Sequence, residues 1–256
     1  MNDSPIIIAL DVPSATEARR LVNAIGDAAS FYKVGLELYA AAGPDFAREL
    51  KSEGYRVFLD LKLHDIGETV RRAVAAATEI APDFLTIHAT DQVMRAAVAG
   101  RDTSNVEGRD TSNVEGRDTS NVAGRGESAL KLLAVGVLTS LDDSDLLKDG
   151  YAISVTDLVE RRARNAMDAG VDGIVCSPRE VARVRGITGR KMILLNPGVR
   201  SAGSAAGDQK RVATPAEAIA AGADYVVIGR QVTRAKDPRG ETLKVLEEIG
   251  AVAKAG

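Results

Sequence analysis

Short runs rich in Val, Ile and Leu recur eight times along the chain, each followed by a longer stretch with helical spacing. They are Ile6 to Val12, Tyr32 to Leu36, Val57 to Leu63, Phe84 to Thr90, Leu132 to Thr139, Gly173 to Ser177, Met192 to Val199 and Tyr225 to Arg230. Strands that read as near-continuous apolar runs are covered on both faces, and their alternation with helices marks a parallel sheet with crossover connections. The pattern admits an open sheet or a closed one, and the count of eight favours closure into a (β/α)8 barrel of the TIM type. One such barrel accounts for 256 residues, so residues 1–256 are expected to form one domain.

Polar residues fall at the ends of these runs: Asp11, Lys33, Asp60 with Lys62, His88, Thr139, Ser177, Asn196 and Arg230. A barrel gathers the C-terminal ends of its strands at one mouth, where the catalytic groups of this architecture lie. Segments far apart in sequence therefore point at one site.

A tandem repeat interrupts the order. Gly100 to Glu107 reads GRDTSNVE, Gly108 to Glu115 repeats it, and Gly116 to Ala123 reads GRDTSNVA. One Val per unit cannot build a core, and solenoid periods start at about 20 residues. Val98-Ala99-Gly100-Arg101 recurs as Val122-Ala123-Gly124-Arg125, so removing 101–124 would rejoin the chain seamlessly. These residues read as a surface insertion between the fourth crossover helix and the fifth strand, at the barrel's bottom face.

A composition of 45% hydrophobic and 27% charged residues suits a large core. The net charge of −3 gives no electrostatic reason to expect nucleic acid or an anionic membrane as partner, so an anionic ligand must be gripped locally. Cys176 is the only cysteine, which excludes an intrachain disulfide and fits a reducing cytoplasm. Its neighbours read as a buried strand, where a thiol behaves as a small apolar group. No apolar stretch reaches the roughly 18 residues of a membrane span, and no cleavable leader is visible, so a soluble cytoplasmic protein is expected.

The chemistry concentrates in Asp60-Leu61-Lys62-Leu63-His64-Asp65-Ile66. Residues two apart share a strand face, so Asp60 and Lys62 point together while Leu59, Leu61 and Leu63 face the helices. Lys33, ending the neighbouring strand, should join them. Ammonium groups set among carboxylates fix protonation states and make a preorganised field. One charged strand end would be an ordinary ion pair. Charges embedded in an otherwise buried run at a barrel mouth point to function.

DLKLHDI resembles the D-x-K-x-x-D signature of orotidine 5′-monophosphate decarboxylases. Ala9-Leu10-Asp11, Lys33-Val34-Gly35, Leu138-Thr139-Ser140, Asn196-Pro197-Gly198-Val199-Arg200, Gly207-Asp208-Gln209 and Val227-Ile228-Gly229-Arg230 resemble the bacterial form in the same order. The resemblance implies decarboxylation of orotidine 5′-monophosphate to UMP and CO2, the last step of de novo pyrimidine nucleotide synthesis, without a cofactor or metal. It implies that Lys62 protonates C6 of the pyrimidine, that Asp60 lies against the departing carboxylate, and that Lys33 holds the ribose and orients Asp60. Asp65 would enter a neighbouring subunit's site with Ile66 and Thr69 beside it, making the enzyme a homodimer with shared sites. Asp11 would bind ribose hydroxyls, and Thr139 with Ser140 the pyrimidine edge. Many bacterial relatives carry Pro after the Asp-Ile pair, where this chain has Gly67-Glu68-Thr69.

The phosphate grip follows partly from chemistry. Loops after strands seven and eight are the usual phosphate site of this architecture, and here they combine glycine with a cation or amide: Gly198, Arg200, Gly203, Gly207, Gln209, then Gly229 and Arg230. Backbone N–H groups and a guanidinium suit a phosphate dianion. The Gly-rich stretch Ser201 to Asp208 reads as a mobile lid. His64 and His88 are expected to be structural neighbours of the site. Two other readings remain: a related barrel enzyme acting on a sugar phosphate with Mg2+, and a non-catalytic sensor of a phosphate ligand.

Overall fold

The computed structural model describes residues 4–107, 130–202 and 213–253. All eight expected strands form: β1 (Ile6–Ala9), β2 (Phe31–Gly35), β3 (Arg56–Leu63), β4 (Phe84–His88), β5 (Lys131–Val135), β6 (Gly173–Val175), β7 (Ile193–Asn196) and β8 (Tyr225–Ile228). They pair in parallel in sequence order, and β1 closes on β8, so the sheet is a barrel rather than an open fan. The crossovers carry α1 (Ala15–Ile25), α2 (Leu36–Ala42), α3 (Asp45–Ser52), α4 (Gly67–Thr78), α5 (Asp91–Glu107), α6 (Asp143–Lys148), α7 (Val155–Asp168), α8 (Val181–Thr188), α9 (Pro215–Ala220), α10 (Arg230–Thr233) and α11 (Pro238–Ala253).

Several strands stop short of the apolar runs that announce them: β1 at Ala9, β5 at Val135 and β8 at Ile228. Isolated backbone bonds carry on past the ladders, from Leu10 N to Lys33 O (2.9 Å) and from Gly136 N to Val175 O (2.8 Å). Residues beyond a ladder are free to turn into the mouth. Asp11 and Thr139 consequently sit on the strand-to-helix connections and Arg230 opens α10, each two or more residues past the observed strand end although the sequence pattern includes them in the strands.

Alternation divides each strand between two cores. Ile6, Ile8 and Leu10 join the layer between barrel and helices, while Ile7 and Ala9 join Phe31, Phe58, Phe84, Leu133, Leu195 and Val227 inside the barrel. The lower interior is aromatic, with the Phe31 and Phe84 rings 5.1 Å apart and Tyr225 edge-on to both. The Arg56 guanidinium lies over the Phe31 ring at 4.1 Å and ion-pairs with Asp83. Apolar packing and a stacked cation thus fill the lower barrel, and the charges that continue the same inward set begin one step higher.

β3 is irregular. Leu59 pairs with Leu85 and Leu63 with Ile87, so Asp60, Leu61 and Lys62 stand opposite Thr86 alone. This bulge re-aims side chains at the mouth, as bulges beside functional sites commonly do.

The repeat lies between the helix after β4 and strand β5, but its first unit is not outside the fold. Residues 101–107 continue α5, and Arg101, largely shielded from solvent, pairs with Asp172 (2.5 Å) and Asp102 (3.1 Å). The fold therefore extends past residue 101, because that arginine has a buried-side partner at the foot of β6. Residues 108–124 fall outside the described residues.

Just before it, α5 crosses α4 closely. A Cβ on Gly100 would stand 2.3 Å from the carbonyl oxygen of Arg71, closer than backbone atoms tolerate. Replacing a helical glycine by alanine ordinarily gains about 1 kcal/mol in helix propensity. Here the clash should dominate, since overpacking costs about 1–3 kcal/mol. Gly100→Ala is expected to lower unfolding stability in urea titration, and a stabilised variant would show that the helices do not approach this closely.

Candidate active site

The inward positions of β2 and β3 change from aromatic to charged as they rise: Phe31 gives way to Lys33, and Phe58 to Asp60. Asp60 Oδ1 accepts hydrogen bonds from Lys62 Nζ (2.7 Å) and Thr86 Oγ1 (2.9 Å), while Oδ2 faces Lys33 Nζ at 3.4 Å. Lys33 Nζ also donates to Asp11 Oδ1 (2.8 Å), so charges alternate Asp11, Lys33, Asp60, Lys62 across the mouth. Gly35 makes room for this row, since a Cβ there would lie 2.8 Å from both Asp11 Oδ1 and Lys33 Nζ.

The expected pairing of Asp60 with Lys62 is present, but simple alternation does not produce it. Lys62 adopts φ 50°, the left-handed region that a non-glycine residue occupies at a cost of about 1–2 kcal/mol. Its backbone N–H donates to Thr86 Oγ1 (3.0 Å), which holds the unusual conformation. Thr86 thus serves both groups, receiving Lys62 N–H and donating to Asp60. The sequence reading missed it. The available signal was its position between Phe84 and His88 on the inward face of an otherwise apolar strand.

Burial alone would push the Lys33 ammonium toward losing its proton, but the Asp60 and Asp11 carboxylates outweigh that and hold its pKa above the ordinary lysine value. Burial likewise opposes ionisation of Asp60, and Lys33, Lys62 and the Thr86 hydroxyl overcome it, leaving the carboxyl below its ordinary value. Both groups stay charged across the neutral range because of their neighbours.

Above this row opens a cavity of about 500 Å3 lined by Asp11, Lys33, Glu37, Phe58, Asp60 and Lys62 on one side. Thr139 and Ser140 from the β5 connection, and Arg200, Gly229 and Arg230 from those after β7 and β8, complete its wall. Thr139 is buried and Ser140 exposed. The Arg200 pKa is lowered by burial and by the Arg230 guanidinium, so two cations converge at this end. Glu37, Gln231 and Arg234 also line the wall and were not anticipated, since nothing in their local sequence sets them apart. Gln209 and most of the proposed lid lie outside the described residues.

Asp65, Ile66 and Thr69 do not line this cavity. All three are exposed, Ile66 at 68%, and Asp65 Oδ1 accepts the N–H of Ile66 (2.7 Å) just ahead of α4. Without the proline of many bacterial relatives, α4 still starts at Gly67. His64 and His88 stack with ring centroids 4.3 Å apart, outside the cavity wall, and burial lowers the His88 pKa with His64 and Arg162 adding to it. Cys176 is buried beside β6. Among the described residues no helix is long and apolar enough to cross a membrane, and no group of three or more His, Cys, Asp or Glu side chains is placed to hold a metal.

The profile of the orotidine 5′-phosphate decarboxylase / HUMPS family matches residues 4–245. The chain belongs to this family. It is 49% identical over 244 residues to orotidine 5′-phosphate decarboxylase of Rhodopseudomonas palustris strain HaA2, covering 95% of this chain and 94% of the relative. It is 48% identical over 250 residues to that of Caulobacter sp. strain K31, covering 98% of this chain and 99% of the relative. The crystal structure of orotidine 5′-phosphate decarboxylase from Lactobacillus acidophilus superposes with a TM-score of 0.78 at 31% identity, covering 96% of this chain and 99% of that one.

The charge row gives this family member a defined pH signature. Asp60, with its lowered pKa, contributes stability above the ordinary value of 3.8 and loses it as pH falls through the lowered one. Lys33, with its raised pKa, contributes fully below the ordinary 10.5 and loses it as pH rises through the raised one. Lys33→Met leaves Asp60 under-compensated and should cost about 3–5 kcal/mol at neutral pH. That penalty should shrink toward both acid and alkaline extremes in urea unfolding; a pH-independent penalty would mean the row is not ionised as described.

Proposed function

We propose that this chain, an orotidine 5′-phosphate decarboxylase by family, converts orotidine 5′-monophosphate to UMP and CO2 in pyrimidine nucleotide synthesis, without a cofactor, with Lys62 as the proton donor. The observation that carries the reading is Asp60 fixed between two ammonium groups, with Lys62 Nζ 2.7 Å from its Oδ1. A substrate carboxylate set against Asp60 meets a like charge that cannot move away, and loss of CO2 relieves that repulsion. As the C6–carboxylate bond breaks, its electron pair stays on C6 beside the Lys62 ammonium. An N–H bond of Lys62 then breaks as the C6–H bond forms, leaving UMP and a neutral amine that solvent reprotonates. A charge preorganised at the developing carbanion lowers the barrier without reorganisation at the moment of reaction.

The other residues divide by position. Asp11 and Lys33 face the ribose, Thr139 and Ser140 the pyrimidine edge, and Arg200, Gly229 and Arg230 the phosphate; Gln209, outside the described residues, is assigned to the phosphate by the resemblance alone. A dianion between Arg200 and Arg230 would relieve their mutual repulsion, which supports phosphate at that end. That Asp65, Ile66 and Thr69 are exposed and do not line their own cavity supports their delivery to a second subunit in a cytoplasmic homodimer.

Lys62→Ala should lower kcat by about 10²–10⁴-fold while UMP binding is largely kept, because the binding contacts lie elsewhere. Turnover near that of the unaltered enzyme would eliminate Lys62 as the donor. The unaltered enzyme should keep full activity in excess chelator; metal dependence would contradict the cofactor-free reading.

The shared site has its own test. Inactive Lys62→Ala and inactive Asp65→Ala chains, mixed and allowed to exchange, should form heterodimers with one site carrying both defects and one carrying neither. Activity should return to about half per heterodimer, as two-fold symmetry requires. No recovery after demonstrated exchange would place Lys62 and Asp65 of one chain in one site.

A further inference from the structure

Arg200 and Arg230 stand on separate connections, and each is followed by a residue that bonds to the other's connection. Gln231 Oε1 accepts the backbone N–H of Ser201 (3.0 Å), and Gln231 Nε2 donates to Ser201 Oγ (2.9 Å) and to Glu241 Oε1 (2.9 Å). Ser201 Oγ in turn donates to Glu248 Oε2 (2.6 Å). The carboxamide is thereby engaged at its oxygen and at both N–H positions, and the network is anchored on α11 through two carboxylates. On the other side, the Arg200 backbone N–H donates to Ala213 O (3.0 Å), so the residue is fixed before and after.

We propose that Gln231 is a positioning residue that, through Ser201, clamps the β7 and β8 connections together and holds Arg200 and Arg230 convergent as a phosphate grip. The Arg230 charge lowers the Arg200 pKa, and this like-charge interaction favours separation of the loops that carry the two residues. Three neutral or charge-assisted hydrogen bonds directed by one planar amide oppose it and keep the site formed before the ligand arrives. Preorganisation of this kind shows as affinity, because the ordering cost does not fall on binding. The inference rests on the assignment of this end of the cavity to phosphate.

The test compares UMP with uridine, which lacks the phosphate, by calorimetric titration of the full-length enzyme. Gln231→Leu should weaken UMP binding about tenfold and leave uridine binding unchanged. Arg230→Ala should also weaken UMP, and the Arg230→Ala/Gln231→Leu double variant should lose much less than the sum of the two, because the clamp acts through the arginine. If Gln231→Leu does not fold, Ser201→Ala takes its place, with Ser201→Thr expected to restore affinity by returning the hydroxyl. Equal weakening of uridine and UMP would reduce Gln231 to a structural role and overturn the proposal, as would unchanged UMP binding in Gln231→Leu beside a weakened Arg230→Ala. Unchanged UMP binding in Arg230→Ala would instead remove the phosphate assignment, and the clamp's purpose with it.

Discussion

Asp60, with 14% of its side chain exposed, carries a charge that would cost several kcal/mol if left uncompensated in that setting. Compensation comes from three directions, and each makes a structural demand. Lys33 reaches it from β2 only because Gly35 carries no side chain in the way. Lys62 reaches it from the same strand only because β3 bulges and accepts a left-handed residue. Thr86 reaches it from β4 and stabilises that residue as well. One carboxylate thus accounts for a glycine, a bulge and a buried hydroxyl that otherwise look unrelated.

The two ends of the cavity are built differently. At the Asp60 end, opposite charges alternate, with Lys33, Asp60 and Lys62 on strands, where packing fixes positions, and Asp11 just past β1. At the Arg200–Arg230 end, like charges converge on connections, where position depends on polar ties such as those of Ser201 and Gln231. The alternating row is compensated within itself, and in the proposed function it is the part that acts on the substrate carboxylate. The convergent pair is the part that the proposed function assigns to the phosphate. On that reading the reacting group meets a charge-balanced surface and the phosphate a cationic one.

Legibility in the sequence follows the same division. The eight strands are visible because two-sided burial writes continuous apolar runs, and Lys33, Asp60 and Lys62 are visible because charge in such a run has few bland explanations. The outward placement of Asp65 is consistent with its position past the strand end. Thr86 was not legible, since a lone threonine in a strand is ordinary until the register of β3 on β4 is known. Nor was Gln231, whose partners lie on β7's connection and on α11. Strand ends were overextended because hydrophobicity continues into the mouth after the ladder has stopped. The helical first unit of the repeat was hidden because its composition argues against a core, whereas what orders it is one arginine with a carboxylate partner.

That arginine gives the repeat an unusual tolerance. The sequence offers Gly-Arg at 100–101, 108–109, 116–117 and 124–125, always after the same upstream helix. Loss or gain of whole units leaves a glycine at the α4 crossing and an arginine beside Asp172, whichever copy supplies them. What the fold requires of the tract among the described residues is therefore its first Gly-Arg pair, the glycine for the close approach to α4 and the arginine for Asp172, and the eight-residue period offers that pair at every unit.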